Sequence, residues 1–302
     1  MPTTFRAAVV RTPGGPDSIE IIDVPVVEPG PGQVRVEIAG AAVNPVDLAL
    51  AAGFFHGLGL VNQPAHTGLG WDFAGTVTAA GPDVDLPVGS RVAGLVAGFD
   101  RDFGTYAEQL VITASDIAVV PDGLDLVPAA TVPLNGLAAA QVVDLLGDGQ
   151  GRSLLVTGAA GALGGYVIPL AQDRGWRVTG LARAEDEKFV RGLGADFTAE
   201  AMPGWDAAAD GAALQEQGLA LVRDGGLFVG VQPGREPAEE RGVTVRVVVT
   251  QPDGARLAQL LDATASGRLP ARVHAVVPLD QVAAAHRAVA KGGVRGRYVL
   301  QP

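Results

Sequence analysis

The chain has 302 residues, enough to bury a large core and to form two domains. Its formal net charge is −11, its only lysines are Lys188 and Lys291, and it has no basic stripe or tail, which argues against nucleic acid or an anionic membrane as a partner. It contains no cysteine, so disulfides and cysteine-ligated zinc are excluded. Prolines, glycines and charges break every apolar run short of a membrane span, and the N-terminus leads into a strand pattern without a leader peptide. A soluble cytoplasmic protein is expected.

The first 120 or so residues read as β-rich. Short apolar runs at 7–10, 34–38, 73–78, 91–96 and 107–112 are separated by Pro/Gly/Asp turns such as 28–32 and 81–87, the pattern of an irregular barrel or sandwich. From about Asp125 the spacing becomes helical, over 127–134 and 136–146. Residues 153–157 then read as a buried strand, 158–165 as a turn of glycines and alanines, 166–172 as a helix and 177–182 as a second strand. Further strands are expected at 225–230, 243–249 and 296–300, with helices at 256–266 and 279–290.

The strand–turn–helix–strand unit at 153–182 is the arrangement that carries a dinucleotide pyrophosphate. Small residues let the backbone approach the phosphates, and the unpaired N–H groups of the helix start face negative charge. An acidic residue at the end of the second strand would hold the ribose 2′-hydroxyl of NAD. Here that strand runs into Ala182 and Arg183, and Lys188 lies a turn further on. Arginine matches a 2′-phosphate by bidentate charged bonds, so NADPH is the expected cofactor. Glu185, Asp186 and Glu187 fit equally a solvated first helical turn.

In this order the pieces resemble the medium-chain dehydrogenase/reductase superfamily, most closely its zinc-free quinone oxidoreductase and enoyl reductase branch. The resemblance rests on Asn44-Pro-Val-Asp47, Gly70-Trp-Asp-Phe-Ala-Gly75, Gly89-Ser-Arg-Val92, the Gly158–Gly164 turn, Leu193-Gly-Ala-Asp196 and the closing Gly296-Arg-Tyr-Val-Leu300. It implies an α/β protein with a GroES-like β-rich catalytic domain (1–122), a Rossmann doubly wound parallel-sheet domain (123–255) and a C-terminal return to the first domain (256–302). It also implies a nicotinamide in the cleft between the domains, and a homodimer. By this resemblance, cofactor contacts fall on Asn44, Gly158, Ala160, Gly161, Ala162, Leu163, Arg183, Lys188, Val231 and Arg295.

The zinc ligand that alcohol dehydrogenases carry in the 70–75 motif is a histidine, and Trp71 stands at that position, so no metal is expected. The resemblance then points to reduction of a quinone, or of the C=C bond of an apolar α,β-unsaturated carbonyl compound. A zinc-free alcohol or ketone oxidoreductase and a non-catalytic NADPH-binding protein stay open as alternatives. Asn44 is the expected catalytic residue, its amide donating to the developing oxyanion. Asp47 is read as holding that loop through backbone N–H groups. A buried pair of Asp72 with Arg91 is expected, which would lower the Asp72 pKa. Phe54, Phe55 and His56 are expected to line the substrate pocket. The tyrosine and the threonine that the family often places near the cofactor are absent after the 44–47 motif and at 134–138. Solvent, or failing that His56 or His66, is left as the proton source.

Overall fold

The computed structural model describes residues 3–302. The chain divides into two compact units. One comprises the chain up to Leu134 together with Pro252–Ser266 and Ala271–Pro302; the other comprises Asn135–Gln251 and Gly267–Pro270. The first crossover lies some twelve residues beyond the 122/123 boundary expected from the spacing, because the short helix at 126–129 packs on the strands of the first unit.

The first unit is built from β1 (Thr4–Val10), β2 (Ile19–Pro25), β3 (Gln33–Ala42), α1 (Pro45–Ala51), α2 (Phe54–Gly57), β4 (Thr67–Gly68), β5 (Asp72–Ala80), β6 (Arg91–Leu95), β7 (Gln109–Thr113), β8 (Ile117–Val119) and α3 (Leu126–Ala129). Helix α4 (Pro133–Leu146) opens on proline, which suits a first helical turn where no N–H partner is needed. The second unit follows with β9 (Ser153–Thr157), α5 (Ala162–Asp173), β10 (Arg177–Leu181), α6 (Glu187–Gly192), β11 (Asp196–Thr198), β12 (Trp205–Asp210), α7 (Glu216–Ala220), β13 (Val222–Gly230) and β14 (Thr244–Val247). The return to the first unit adds α8 (Gly254–Ala265), β15 (Val273–Pro278), α9 (Val282–Ala290) and β16 (Arg297–Gln301).

In the first unit β2, β1 and β4 form a three-stranded sheet, and a seven-stranded sheet runs β15-β16-β3-β5-β6-β8 with β7 also on β3. Strand β3 alternates over its first half, with Val34, Val36 and Ile38 in the core and Glu37 exposed, and becomes small and buried towards Ala41 and Ala42. The late strand β16 pairs with β3 through Val299–Ala42 and Leu300–Ala41, which closes the sheet with residues from the far end of the chain.

The second unit is a six-stranded parallel sheet in the order β11-β10-β9-β12-β13-β14. Numbered from β9 this is 3-2-1-4-5-6, the doubly wound order that binds dinucleotides where the order reverses, between β9 and β12. The inner strands are apolar at their centres (Leu154, Leu155 and Val156; Ala207, Ala208 and Ala209), as strands covered on both faces must be. Among the described residues no helix is long and apolar enough to cross a membrane.

Candidate functional site

In the second unit the turn after β9 lies at the switch point. Gly158 has φ +60, a left-handed conformation that glycine adopts without strain. A Cβ on Gly164 would stand 2.5 Å from the Gly158 carbonyl oxygen and 2.7 Å from Ala159 Cα, so the start of α5 packs directly on the turn. Gly161 caps α5, and the first-turn N–H groups that follow have no carbonyl within their own helix. Beside the turn, the Thr157 hydroxyl donates to buried Asp210 at 2.5 Å, and Asp210 accepts the Gln215 N–H at 2.8 Å. These bonds brace the ends of β9 and β12. The glycine cradle, the helix start and the switch point fit a dinucleotide.

Arg183 follows β10 with its side chain 63% exposed, and its nearest carboxylate, Glu185, is 3.9 Å away and equally exposed. Lys188 is exposed in α6. Of the neighbouring acids Glu185 and Glu187 are exposed, Glu187 accepting from Arg191 one turn on, while Asp186 is buried. Val231, directly after β13, and Arg295, before β16, are partly buried.

In the first unit Asn44 and Asp47 open α1. The Asp47 carboxylate accepts the Asn44 N–H at 2.9 Å and the Gly70 N–H at 3.0 Å, holding two loops by their backbone as expected. Asp47 is wholly buried, and desolvation pushes its pKa up to about 6 despite those bonds.

Asn44 is 1% exposed, and its amide nitrogen is committed twice: it donates to the Ala42 carbonyl at 3.2 Å and to Asp72 at 2.9 Å. The Ala42 carbonyl only accepts, which fixes the amide nitrogen on that side. The expectation that Asn44 donates to an oxyanion is therefore corrected: both amide hydrogens are spent inside the first unit.

The expected pair of Asp72 with Arg91 is also corrected. Across β5 and β6, Asp72 stands opposite Leu95 and Arg91 opposite Thr76. Four residues along a strand are roughly 13 Å. Arg91 instead donates to the Leu124 carbonyl. Asp72 accepts from Asn44 and, at 3.4 Å, from the Leu134 N–H. Burial, and then the nearby Asp47 charge, push the Asp72 pKa up to about 7, opposite to the lowering expected, although the Arg297 cation works against them.

The aromatic residues form a connected group. Phe54 meets Phe55 edge-on at 5.1 Å, Phe55 stacks on Phe99 at 3.9 Å, and Phe99 meets Trp71 at 5.3 Å. The Arg101 guanidinium lies 4.9 Å from the Trp71 ring and donates to the Val96, Gly68 and Gly70 carbonyls. His56, beside Phe55, bonds Thr67 at 3.3 Å, and His66 lies against Phe103 at 5.1 Å. Phe99 and Arg101 escape a reading of the sequence, because Gly98-Phe-Asp-Arg-Asp102 has the composition of an exposed polar loop. His286 is fully buried edge-on to Tyr106 at 5.8 Å, and burial lowers its pKa to about 4, so it stays neutral as a core residue.

A dinucleotide-binding sheet following a β unit with a buried polar centre defines the class as an NAD(P)-dependent oxidoreductase. Two family models match: the alcohol dehydrogenase GroES-like domain over residues 30–122 and the zinc-binding dehydrogenase over residues 186–300. A 2-haloacrylate reductase from a Burkholderia species is 29% identical over 98% of each chain. A chloroplastic NADPH-dependent alkenal/one oxidoreductase from Arabidopsis thaliana is 28% identical over all of this chain and 81% of that one. The solved quinone oxidoreductase from Coxiella burnetii superposes with a TM-score of 0.88 at 26% identity, covering 99% of both chains. The chain belongs to the medium-chain dehydrogenase/reductase superfamily, in its zinc-free quinone and enoyl reductase-like branch.

Proposed function

We propose that the protein is an NADPH-dependent reductase acting on the C=C bond of an α,β-unsaturated carbonyl compound, or on a quinone. The observation that carries the cofactor choice is Arg183, exposed directly after β10 where an NAD-binding acid would stand. The turn at Gly158, Ala160, Gly161, Ala162 and Leu163 holds the pyrophosphate on its N–H groups, and Arg183 with Lys188 holds the 2′-phosphate. Val231 and Arg295 contact the cofactor further along. Asn44 serves by fixing the entry to α1, as its committed amide allows. When bound, the cofactor supplies a hydride.

With hydride added at the β-carbon of an enone, a C–H bond forms there and the C=C pair moves onto the carbonyl side, leaving an enolate. Solvent supplies the proton that the α-carbon then takes. Asp72 is not that donor, since its carboxyl group is wholly buried and already bonded to Asn44 and Leu134. Phe54, Phe55 and His56 offer an apolar wall with one polar edge.

The reading is tested by following NADPH and NADH oxidation in parallel against quinones, enones and enoyl thioesters. Turnover of at least one acceptor class with preference for NADPH supports it. Preference for NADH removes the cofactor assignment, and turnover of ketones without enones or quinones removes the substrate assignment. The reading also carries a homodimer, which light scattering of the purified protein checks, and a cytoplasmic location, which cell fractionation checks.

A further inference from the structure

The three tryptophans of the chain differ in one respect. Trp176 donates its indole N–H to the Gly147 carbonyl at 2.8 Å, and Trp205 donates to the Met202 carbonyl at 2.9 Å. Trp71 is as deeply buried as Trp176, at 5% against 4% exposure, yet its Nε1 has no acceptor among the described residues. Buried indole N–H groups are normally bonded, and leaving one unmade costs on the order of 1–3 kcal/mol. The surroundings of this one are specific. The Arg101 cation lies against the ring face and draws electron density from it, which makes the N–H a stronger donor. Phe99 meets the ring edge-on and stacks in turn on Phe55, so the indole belongs to the aromatic group proposed as the substrate wall. Meanwhile Asn44 has no amide hydrogen left to give.

We propose that Trp71 is the substrate's oxygen anchor: its Nε1–H donates to the carbonyl or carboxylate oxygen of an α,β-unsaturated substrate whose apolar part lies on Phe54, Phe55 and Phe99. The proposal rests on the reductase reading for its substrate class. It assigns the donor that stabilises negative charge arriving on that oxygen to an indole rather than to an amide.

Two measurements test it. The first follows the indole N–H resonances of the 15N-labelled protein with NADPH present, assigning Trp71 by its loss in Trp71→Phe. Cyclohexanone and propionate, which carry the oxygen but no C=C bond to reduce, are the probes. The Trp71 resonance shifts with at least one of them, while those of Trp176 and Trp205 stay in place. An unmoved Trp71 resonance at concentrations that compete with enone turnover overturns the proposal. If the wild type turns over neither enones, enoyl thioesters nor quinones, the reductase reading fails, and the same titration to millimolar probe still decides the anchor by whether the resonance moves.

The second measurement is the kinetics of Trp71→Phe, which keeps an aromatic ring under Arg101 and removes the N–H together with part of the indole's ring area. Its kcat for 2-cyclohexenone falls about a hundredfold, the lower end for loss of one oxyanion donor, with NADPH affinity within twofold of wild type. Trp71→His, which returns a ring N–H, recovers part of the loss. Unchanged kcat in Trp71→Phe overturns the proposal. Should that variant fail to fold, Trp176→Phe and Trp205→Phe assign the other two indole resonances, and the titration of the wild type decides alone.

Discussion

The dinucleotide turn of the second unit and the buried polar centre of the first solve opposite problems. As proposed, the turn would bind by what it lacks: Gly158, Gly161 and Gly164 carry no side chain, and the donors it offers are backbone N–H groups and an exposed arginine. The centre around Asn44, Asp47 and Asp72 works by what it buries, two carboxyl groups held by amide and backbone donors beneath the solvent-accessible surface. A surface built from backbone tolerates charge because solvent and ligand share it. A buried centre tolerates charge only while every donor and acceptor is matched. Substitutions should therefore fail differently in the two regions, through ligand affinity in one and through folding stability and its pH dependence in the other.

The sharpest way to break that contrast is at the turn. A Cβ on Gly161 would lie 2.9 Å from the Gly158 oxygen, and the branched methyls of valine would fill the space a pyrophosphate needs. Gly161→Val should weaken NADPH binding by at least about a thousandfold, roughly 4 kcal/mol, with only a modest fall in melting temperature from the shifted backbone contact. Calorimetric titration beside thermal unfolding reads both. Wild-type affinity in this variant would show that the phosphates bind elsewhere.

Asp47→Ala should do the reverse. It leaves the Asn44 and Gly70 N–H groups buried without their acceptor and removes the carboxylate that faces Arg101, a loss of about 3 kcal/mol in stability. Asp47→Asn keeps one acceptor oxygen and should lose less. Urea midpoints order the three proteins, and equal midpoints would mean that the carboxylate is not what holds the α1 entry.

The same contrast explains what a reader of the sequence obtains. The turn is local: strand, glycines, helix and second strand lie within thirty residues, and their spacing is the motif. Residues 153–157 form β9 as read, and the sheet order follows from the alternation of strand and helix. The buried centre joins residues 28 apart, such as Asn44 and Asp72, through a sheet register that no periodicity reveals. The expected Asp72–Arg91 pair failed on that register, and the direction of the Asp72 pKa failed with it. The apolar spacing does not mark β2, β4, β8, β11, β12 or β15. β12 is rich in alanine, a poor strand former, and becomes a strand because β9 and β13 pair with it on both sides. Asp47 was read correctly because its partner Asn44 is three residues away.

A smaller effect sharpens the cofactor side. Arg183→Ala should lower NADPH affinity ten- to a hundredfold, about 1.5–3 kcal/mol for a charged hydrogen-bonding partner, and leave NADH nearly unchanged. The exposure of Arg183 and the looseness of its 3.9 Å approach to Glu185 leave it little structural work, so the melting temperature should not move. Equal losses for both cofactors would assign Arg183 to structure instead.

On the buried side, pH reads what the turn does not show. Asp72 has a folded pKa raised from 3.8 to about 7, so the folded protein holds a proton there that the unfolded chain has released. Its stabilising contribution is present in full below about pH 3.8 and is lost as pH rises towards 7. Asp47, raised from 3.8 to about 6, acts in the same sense, and His286, lowered from 6.5 to about 4, acts in the opposite one. The difference between wild type and Asp72→Asn isolates Asp72: relative to the variant, wild type should lose stability between pH 4 and 7. A constant difference across that window would mean that Asp72 is ionised throughout.

The smallest expected effect is none at all, and it concerns metal. The family model over residues 186–300 is described as a zinc-binding dehydrogenase, and it matches a chain with no cysteine, in which the resemblance puts Trp71 where a histidine ligand would stand. Zinc sites take three or four ligands from cysteine, histidine and carboxylate side chains. Among the described residues no three of these converge on one point. The two buried carboxyl groups come nearest in kind, but both oxygens of Asp47 are taken by backbone N–H groups and those of Asp72 by Asn44 and Leu134. In the first unit hydrogen-bond donors thus occupy the oxygens a cation would need. Prolonged dialysis against a strong chelator should leave NADPH-dependent turnover and the melting temperature where they were. Loss of turnover that zinc alone restores would show a ligand set assembled in a way this arrangement does not contain, and would return the chain to metal-assisted chemistry.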